Sequence, residues 1–320
     1  MSDPNLGQVT ASVFERVVRR KPEDNVFGSW ALLNLLKNGG SFEKESGGRL
    51  IEETLMYAEN TTMRSYSDLE TLDTTRVDVF DAARFDWKEI AGTIVYSELE
   101  KARASGEEAK FALIDEKVKN GKDSMFAVLN RQMYSDGTGN SSKDIGGLAL
   151  LISSTPTTGT VGGINRGIFP FWRNRQQSGA NTGTAFNQLR GAMRTIYNNC
   201  SKGANQEHPE LFIFDQTSFE GYESTLTTNE RFTSKDSGDG GFKNEVLKFK
   251  GAKTTFDEDC PASTAYVLNS RNLKIRYLVW AKAFPPVDPA NQTAEVVKLM
   301  TIGNMSINNP RRLGVITSIS

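Results

Sequence analysis

Histidine is nearly missing from this sequence and cysteine is scarce, with one His and two Cys among 320 residues. A single imidazole, His208, excludes a multi-histidine metal site within one chain. Cys200 and Cys260 stand far apart without neighbouring ligand spacing, which argues against a zinc site and a disulfide framework. They read as small core or near-surface residues. An excess of one charge is also missing: Lys+Arg number 38 and Asp+Glu 39, so no bulk positive field holds the chain on nucleic acid. The longest apolar stretches, Ala31 to Leu36 and Leu148 to Ile152, fall far below the about 20 residues of a membrane span, and no membrane partner is expected. The opening MSDPNLGQVT lacks the basic and apolar regions of a secretory signal. The expectation is a protein that stays in the cytosol where it is made.

What is present is an ordinary folded composition, 38% hydrophobic and 24% charged, at a length that suits one large domain or two smaller ones. Asp24 or Asn25 can cap a short helix carrying Val26, Trp30, Leu33 and Leu36, with Gly39 to close it. Its apolar stripe needs a surface, the chain's own or a neighbour's. After the breaker-rich Ser41 to Gly48, strand patterns run from Arg49 to Ala58 and again from Thr75 through Phe85 and Trp87 to Ile94, separated by polar, turn-prone sequence. Two strands of about ten residues would reach roughly 33 Å. Isolated two-stranded hairpins are marginal in water, so the pattern predicts an arm that lies on another subunit.

From Ser97 to Met133 apolar residues recur at helical spacing, at Leu99, Ala102, Phe111, Ile114, Val118, Met125, Leu129 and Met133. The wider gap after Ala102 weakens the case for one unbroken helix, and Gly106 and Gly121 could each mark a bend. Tyr134 to Thr184 reads as long loop material with one apolar island at Leu148 to Ile152, expected to run over surfaces that neighbours cover. A compact alternating region follows: a helix over Thr184 to Asn199, a buried strand at Leu211 to Phe214, a helix from Gln216, and strands at Ala252 to Phe256 and Ala265 to Leu268. Thr293 to Met305 and Leu313 to Ile319 are two apolar strands around Asn308-Asn-Pro-Arg311, expected as a hairpin.

The order of these elements, with the stretches FDWKEIAG (Phe85 to Gly92), SDGTG (Ser135 to Gly139), FKGA (Phe249 to Ala252), DEDCPA (Asp257 to Ala262) and RRLGVIT (Arg311 to Thr317), resembles the major capsid proteins of tailed bacteriophages with the Hong Kong 97-type capsid fold. The resemblance spans essentially the whole chain. It implies an α+β fold with an N-terminal arm (1–46), an extended E-loop hairpin (47–88), a peripheral (P) domain with its spine helix and connecting loops (89–182), an axial (A) domain (183–285) and C-terminal strands completing the P domain (286–320). It further implies hexamers and pentamers tiling an icosahedral head around packaged double-stranded DNA, no cofactor, and the virion as location. The partners implied are copies of the chain, a portal protein and a decoration protein. Only about 46 residues precede the hairpin, so a separate scaffolding protein is expected. An encapsulin-type compartment shell is the alternative. Some family members weld an E-loop lysine to an asparagine. Here Arg49 to Trp87 contains no lysine, so cross-linking is not expected, with Lys88 and Asn304 or Asn308 the remaining pair.

From Gly48 to Asp86 the hairpin carries nine acids and four arginines, Arg49, Arg64, Arg76 and Arg84. Glu52 and Glu53 are therefore expected to face a basic strip on a neighbour, with Arg173 and Arg175 or Arg311 and Arg312 as the strip. Trp30, Arg49, Arg64 and Arg76 are further inter-subunit candidates. Catalytic readings are thin. Asp257, Glu258 and Asp259, with Asp215 as a further candidate, are the best carboxylate cluster, but adjacent strand residues point to opposite faces. No G-x-S-x-G elbow supports a hydrolase. The pairs Gly146-Gly147 and Gly162-Gly163 lack the nucleotide-binding fingerprints. The basic-aromatic run FPFWRNR at Phe169 to Arg175 fits an inter-subunit contact as well as a nonspecific DNA contact.

Overall fold

The structure, a computed structural model, describes residues 31–103, 107–179, 188–201, 208–226, 247–289, 291 and 293–319. Trp30 and the sequence expected to begin its helix lie outside these residues. The chain divides into two compact units. Among the described residues, one takes 89–129 and 279–302 and the other takes the remainder.

In the first unit, β4 (Lys88–Ser97) lies beside β13 (Ala294–Ile307), which lies beside β12 (Leu273–Ala283). The expected spine is two helices, α2 (Glu98–Arg103) and α3 (Glu107–Tyr134), on either side of the gap in apolar spacing. Lys117 on α3 pairs with Glu100 on α2 at 2.6 Å. Phe126 stacks on Trp280 of β12, and the Thr301 hydroxyl reaches Met125 Sδ at 3.4 Å. Gly121 lies inside α3, and a Cβ there would stand 2.5 Å from Ile94 Cδ1 of β4. The glycine serves close approach of helix and sheet.

The second unit centres on a six-stranded mixed sheet, β7 (Arg175–Ser178), β14 (Gly314–Thr317), β11 (Ala265–Leu268), β8 (Leu211–Phe214), β10 (Ala252–Phe256) and β9 (Leu247–Phe249) in that order. β8 and β11 are buried at every residue, as continuous apolar runs with both faces covered should be. Helix α5 (Leu189–Cys200) buries Leu189, Ala192, Met193, Ile196 and Cys200 along one face, packing with Phe212, Phe214, Val267 and Ile316 in one core. Gly314 permits this contact, since a Cβ there would meet Ile196 Cδ1 at 2.7 Å. Helix α6 (Gln216–Ser224) is capped by Asp215, whose carboxylate accepts from Ser218 N.

Two expectations are corrected. β13 and β14 do not pair as a hairpin: β14 enters the six-stranded sheet between β7 and β11, parallel to the first and antiparallel to the second. The 3-10 turn Pro310–Arg312 separates them, and proline fixes the backbone angle there. The loop-rich stretch after Tyr134 also has its own core. Ile145, Leu148 and Leu151 of helix α4 (Leu148–Leu151), Ile152, Val161, Ile164 and Trp172 are buried within the chain, and the Trp172 indole donates to Val161 O at 2.9 Å. Arg166 is buried there too, its guanidinium donating to the carbonyls of Leu150 and Leu151. Burial pushes its pKa down to about 10.

Candidate functional site

The hairpin is the element least explained by the chain's own core. Strand β2 (Ile51–Met56) alternates strictly, turning Ile51, Glu53 and Leu55 inward and Glu52, Thr54 and Met56 outward. Period-two geometry forces this once Ile51 and Leu55 are buried. β3 (Phe80–Phe85) pairs antiparallel with it, Ile51 opposite Phe85 and Met56 opposite Phe80, and buries Ala83 and Phe85. The inward side rests on the short hairpin of β5 (Thr160–Val161) and β6 (Ile164–Asn165): Arg84 N donates to Gly162 O, and Tyr57 stacks on Phe171 at 5.4 Å. The strands are thus six residues long and carried by their own chain. The strands are shorter than the about ten residues expected.

Adjacent Glu52 and Glu53 have separate fates. Glu52 is exposed and pairs with Arg84 across the hairpin at 3.1 Å. Glu53 is 6% exposed and takes the Arg276 guanidinium through Nε at 2.6 Å and a second nitrogen at 3.1 Å, while Ser306 Oγ donates to it at 2.8 Å. Arg276 also bonds Glu43 at 2.9 Å and Glu45, on and just after β1 (Phe42–Lys44), which pairs parallel with β12. Lys274 completes the group on Glu43. Hydrogen bonds and charge from these glutamates hold the arginine's pKa above its usual value against the opposing effect of burial. Glu53 is therefore engaged within its own chain. Sequence reasoning missed Arg276, whose only signal was its place in the alternating LKIRYLVW.

Beyond the strands, residues 57–79 form a tip organised around Tyr66. Its hydroxyl donates to Thr62 O at 2.9 Å and accepts from Asp73 N at 3.2 Å, and Arg64 lies over its ring while pairing with Glu70 at 3.3 Å. Arg76 pairs with Asp78. The ordered tip leaves Met63 80% and Leu69 97% exposed, with Leu72, Met56 and Phe80 also bare. Large apolar side chains exposed together mark interaction sites.

The remaining arginines are not equivalent. Arg49 and Arg311 are exposed. Arg173 is half-buried and donates to the carbonyls of Arg166 and Gly167 at 2.6 and 2.7 Å. Arg175 sits in β7 with a buried Nε that has no hydrogen-bond partner among the described residues. Arg312 is buried, and desolvation lowers its pKa. Turn Pro310–Arg312 packs near turn Pro170–Trp172, which brings the Arg311 and Arg173 stretches together beside exposed Ile168 and Phe169.

The carboxylates of DEDCPA serve the fold. Asp257 is buried and accepts from Leu32 N at 3.0 Å, at the N-terminal end of α1 (Ala31–Asn38), from Asp259 N, and from the Asn130 amide. Asn130 also donates to Asp259 at 2.7 Å. Asp215 caps α6. Among the described residues no group of three or more His, Cys, Asp or Glu is placed to hold a metal ion. His208 stacks flat on Tyr197 at 5.9 Å. Lys88 donates to Ser142 O at 2.6 Å. Asn304 is buried, accepting from Gly146 N and donating to Asp86 O, and Asn308 accepts from Asn272. Among the described residues no helix is long and apolar enough to cross a membrane.

No family model matches the chain, and no curated protein matches it in sequence. Solved structures do match along nearly the whole length. The capsid protein of cyanophage A-1(L) superposes with a TM-score of 0.68 at 16% identity, covering 93% of this chain and 95% of that one. The capsid protein of a native GTA particle gives 0.65 at 12%, covering 94% of each. The SrpI encapsulin of Synechococcus elongatus PCC 7942 gives 0.61 at 9%, covering 94% and 91%. The chain has the α+β fold of these shell proteins, the Hong Kong 97-type capsid fold that its sequence resembles.

Proposed function

We propose, from this shared fold, that the chain is a major capsid protein whose copies form hexamers and pentamers and close into an icosahedral head around double-stranded DNA. The observation that carries the reading is the superposition on capsid proteins over more than nine-tenths of both chains. The exposed apolar tip of the hairpin supports it, since such a tip gains stability by lying on another copy. In this reading the arm is residues 1–46, the E-loop 47–88, the peripheral domain 89–182 with α3 as its spine, and the axial domain 183–285. Residues 286–320 return to the peripheral domain through β13, and their last strand joins the axial sheet. A separate scaffolding protein, a portal protein, a decoration protein and backbone contacts to DNA complete the set of partners, and assembly takes place in the bacterial cytoplasm.

Electron microscopy of particles formed when the chain is expressed with its neighbouring genes tests this. Closed shells built mainly of the chain are expected, and a persistent monomer in the presence of every candidate scaffold overturns the reading. The encapsulin superposition favours a second reading, a compartment shell around protein cargo. Nuclease-protected DNA inside the particles selects the head; a protein cargo without DNA selects the compartment. For the acidic outer face of the hairpin we propose Arg173 and Arg311 of a neighbour as the counterpart. Glu52→Lys should then impair assembly in a subunit that still folds, and normal shells from it would sink that pairing.

A further inference from the structure

Two glycines with left-handed backbone angles, Gly47 at φ 149° and Gly48 at φ 124°, precede β2, and Asp86 and Trp87 follow β3. The Trp87 indole donates to Gly48 O at 3.0 Å, tying the two legs of the hairpin together where they leave the body. Among the described residues, the β2–β3 sheet shares no strand ladder with the sheet of β1, β12, β13 and β4. On its inward face the charged connection to that sheet is one carboxylate, Glu53, bound to one guanidinium, Arg276. The same guanidinium binds Glu43 and Glu45 beside the arm.

We infer that Arg276 is a latch coupling the arm strand to the hairpin: β1 and β2, which do not pair with each other, hold one relative orientation because both are bound to its side chain. Several features make the arrangement more than a surface ion pair. A guanidinium presents five N–H donors in a rigid fork, and here that fork is divided between two glutamates of the β1 stretch and one of β2. Lys274 on Glu43 leaves three acids against two bases. The local balance therefore favours keeping Arg276 charged and engaged. Ser306 of β13 donates to the same Glu53 oxygen that accepts from Arg276 Nε, so releasing the hairpin strips a buried carboxylate of several bonds together. A buried pair missing one partner is strongly penalised, so loss of the contact on either side should loosen both strands. Displacing the arm would thereby be felt by the hairpin.

The inference goes beyond the capsid reading and does not depend on it, because its test reads the chain itself. Hydrogen exchange measured by mass spectrometry on the full-length protein follows residues 42–45 and 51–56 separately. Glu53→Gln, on the hairpin side, should speed exchange in 42–45 as well as in 51–56. The paired change Glu43→Gln with Glu45→Gln, at the more exposed rim, should reciprocally speed exchange in 51–56. Each effect should be roughly tenfold, the size of one lost charge-assisted hydrogen bond. Glu52→Gln, on the same strand but facing solvent, should move neither segment. Unchanged protection of 211–214 and 265–268 in each variant establishes that the fold is intact. If each variant loosens only its own strand, Arg276 is a local ion pair and the latch is wrong. Should Glu53→Gln fail to fold, the rim variant alone decides by the same reciprocal readout.

Discussion

The six-stranded sheet and the β2–β3 hairpin start from similar apolar strands and satisfy them differently. In the sheet, Phe212, Phe214, Ala265 and Val267 share one apolar core with α5, and Phe214 lies parallel to Tyr222 with ring centroids 6.0 Å apart. In the hairpin the inward row contains a carboxylate, the outward row ends in bare Met56 and Phe80, and the tip holds its shape through Tyr66. The sheet can be stabilised by area alone, because burying apolar surface is non-directional. The hairpin depends on a few directional bonds and on whatever covers its tip. A region of the first kind tolerates its surroundings, whereas one of the second is sensitive to them.

The sharpest way to break that comparison is Phe214→Ala, which should cost about 3–5 kcal/mol in denaturant unfolding and remove the sheet's cooperativity. A cost near 1 kcal/mol would mean that the sheet core is looser than its burial indicates. Next, the thiols report core access. Burial pushes Cys200 up to about 12 and raises Cys260 still further, so a disulfide reagent at neutral pH should leave both untouched in the native chain and modify both in denaturant. Rapid native labelling would contradict the closed core. At the tip, Tyr66→Phe removes one hydroxyl that serves two backbone groups. It should cost about 1 kcal/mol, seen as faster amide exchange confined to residues 57–79. Smallest in the isolated chain is Leu69→Ser, expected within about 0.5 kcal/mol of the parent. That variant should nonetheless form shells poorly by electron microscopy, and normal shells would show that the tip is mere solvent-facing loop.

The same division governs what could be read from the sequence. LFIF at Leu211 to Phe214 and AYVL at Ala265 to Leu268 were legible as buried strands because unbroken apolar runs leave little choice. The helical character of Glu98–Arg103 and Glu107–Tyr134 was legible from apolar spacing. The order of elements carried the family resemblance, which the fold matches. Glu53 was not legible: an acid beside another acid reads as surface, and its inward place depends on Arg276, 223 residues further along. Asp257 likewise was legible only as one acid of a carboxylate cluster, because its buried place depends on Leu32 and Asn130, both more than a hundred residues away. β13 and β14 misled because neighbouring apolar strands ordinarily pair, and nothing local says that the second has a place waiting in another sheet.

That place has a consequence for the order of events during synthesis. β14 is an interior strand, flanked by β7 and β11, so β7 (Arg175–Ser178) and β11 (Ala265–Leu268) cannot close into one sheet until residues 314–317 have left the ribosome. At about 5–20 residues per second, a nascent chain spends seconds with a slot open in the middle of its main sheet. Unpaired strand edges invite pairing with other chains, so a truncation before Gly314 should yield insoluble material in place of a smaller folded subunit.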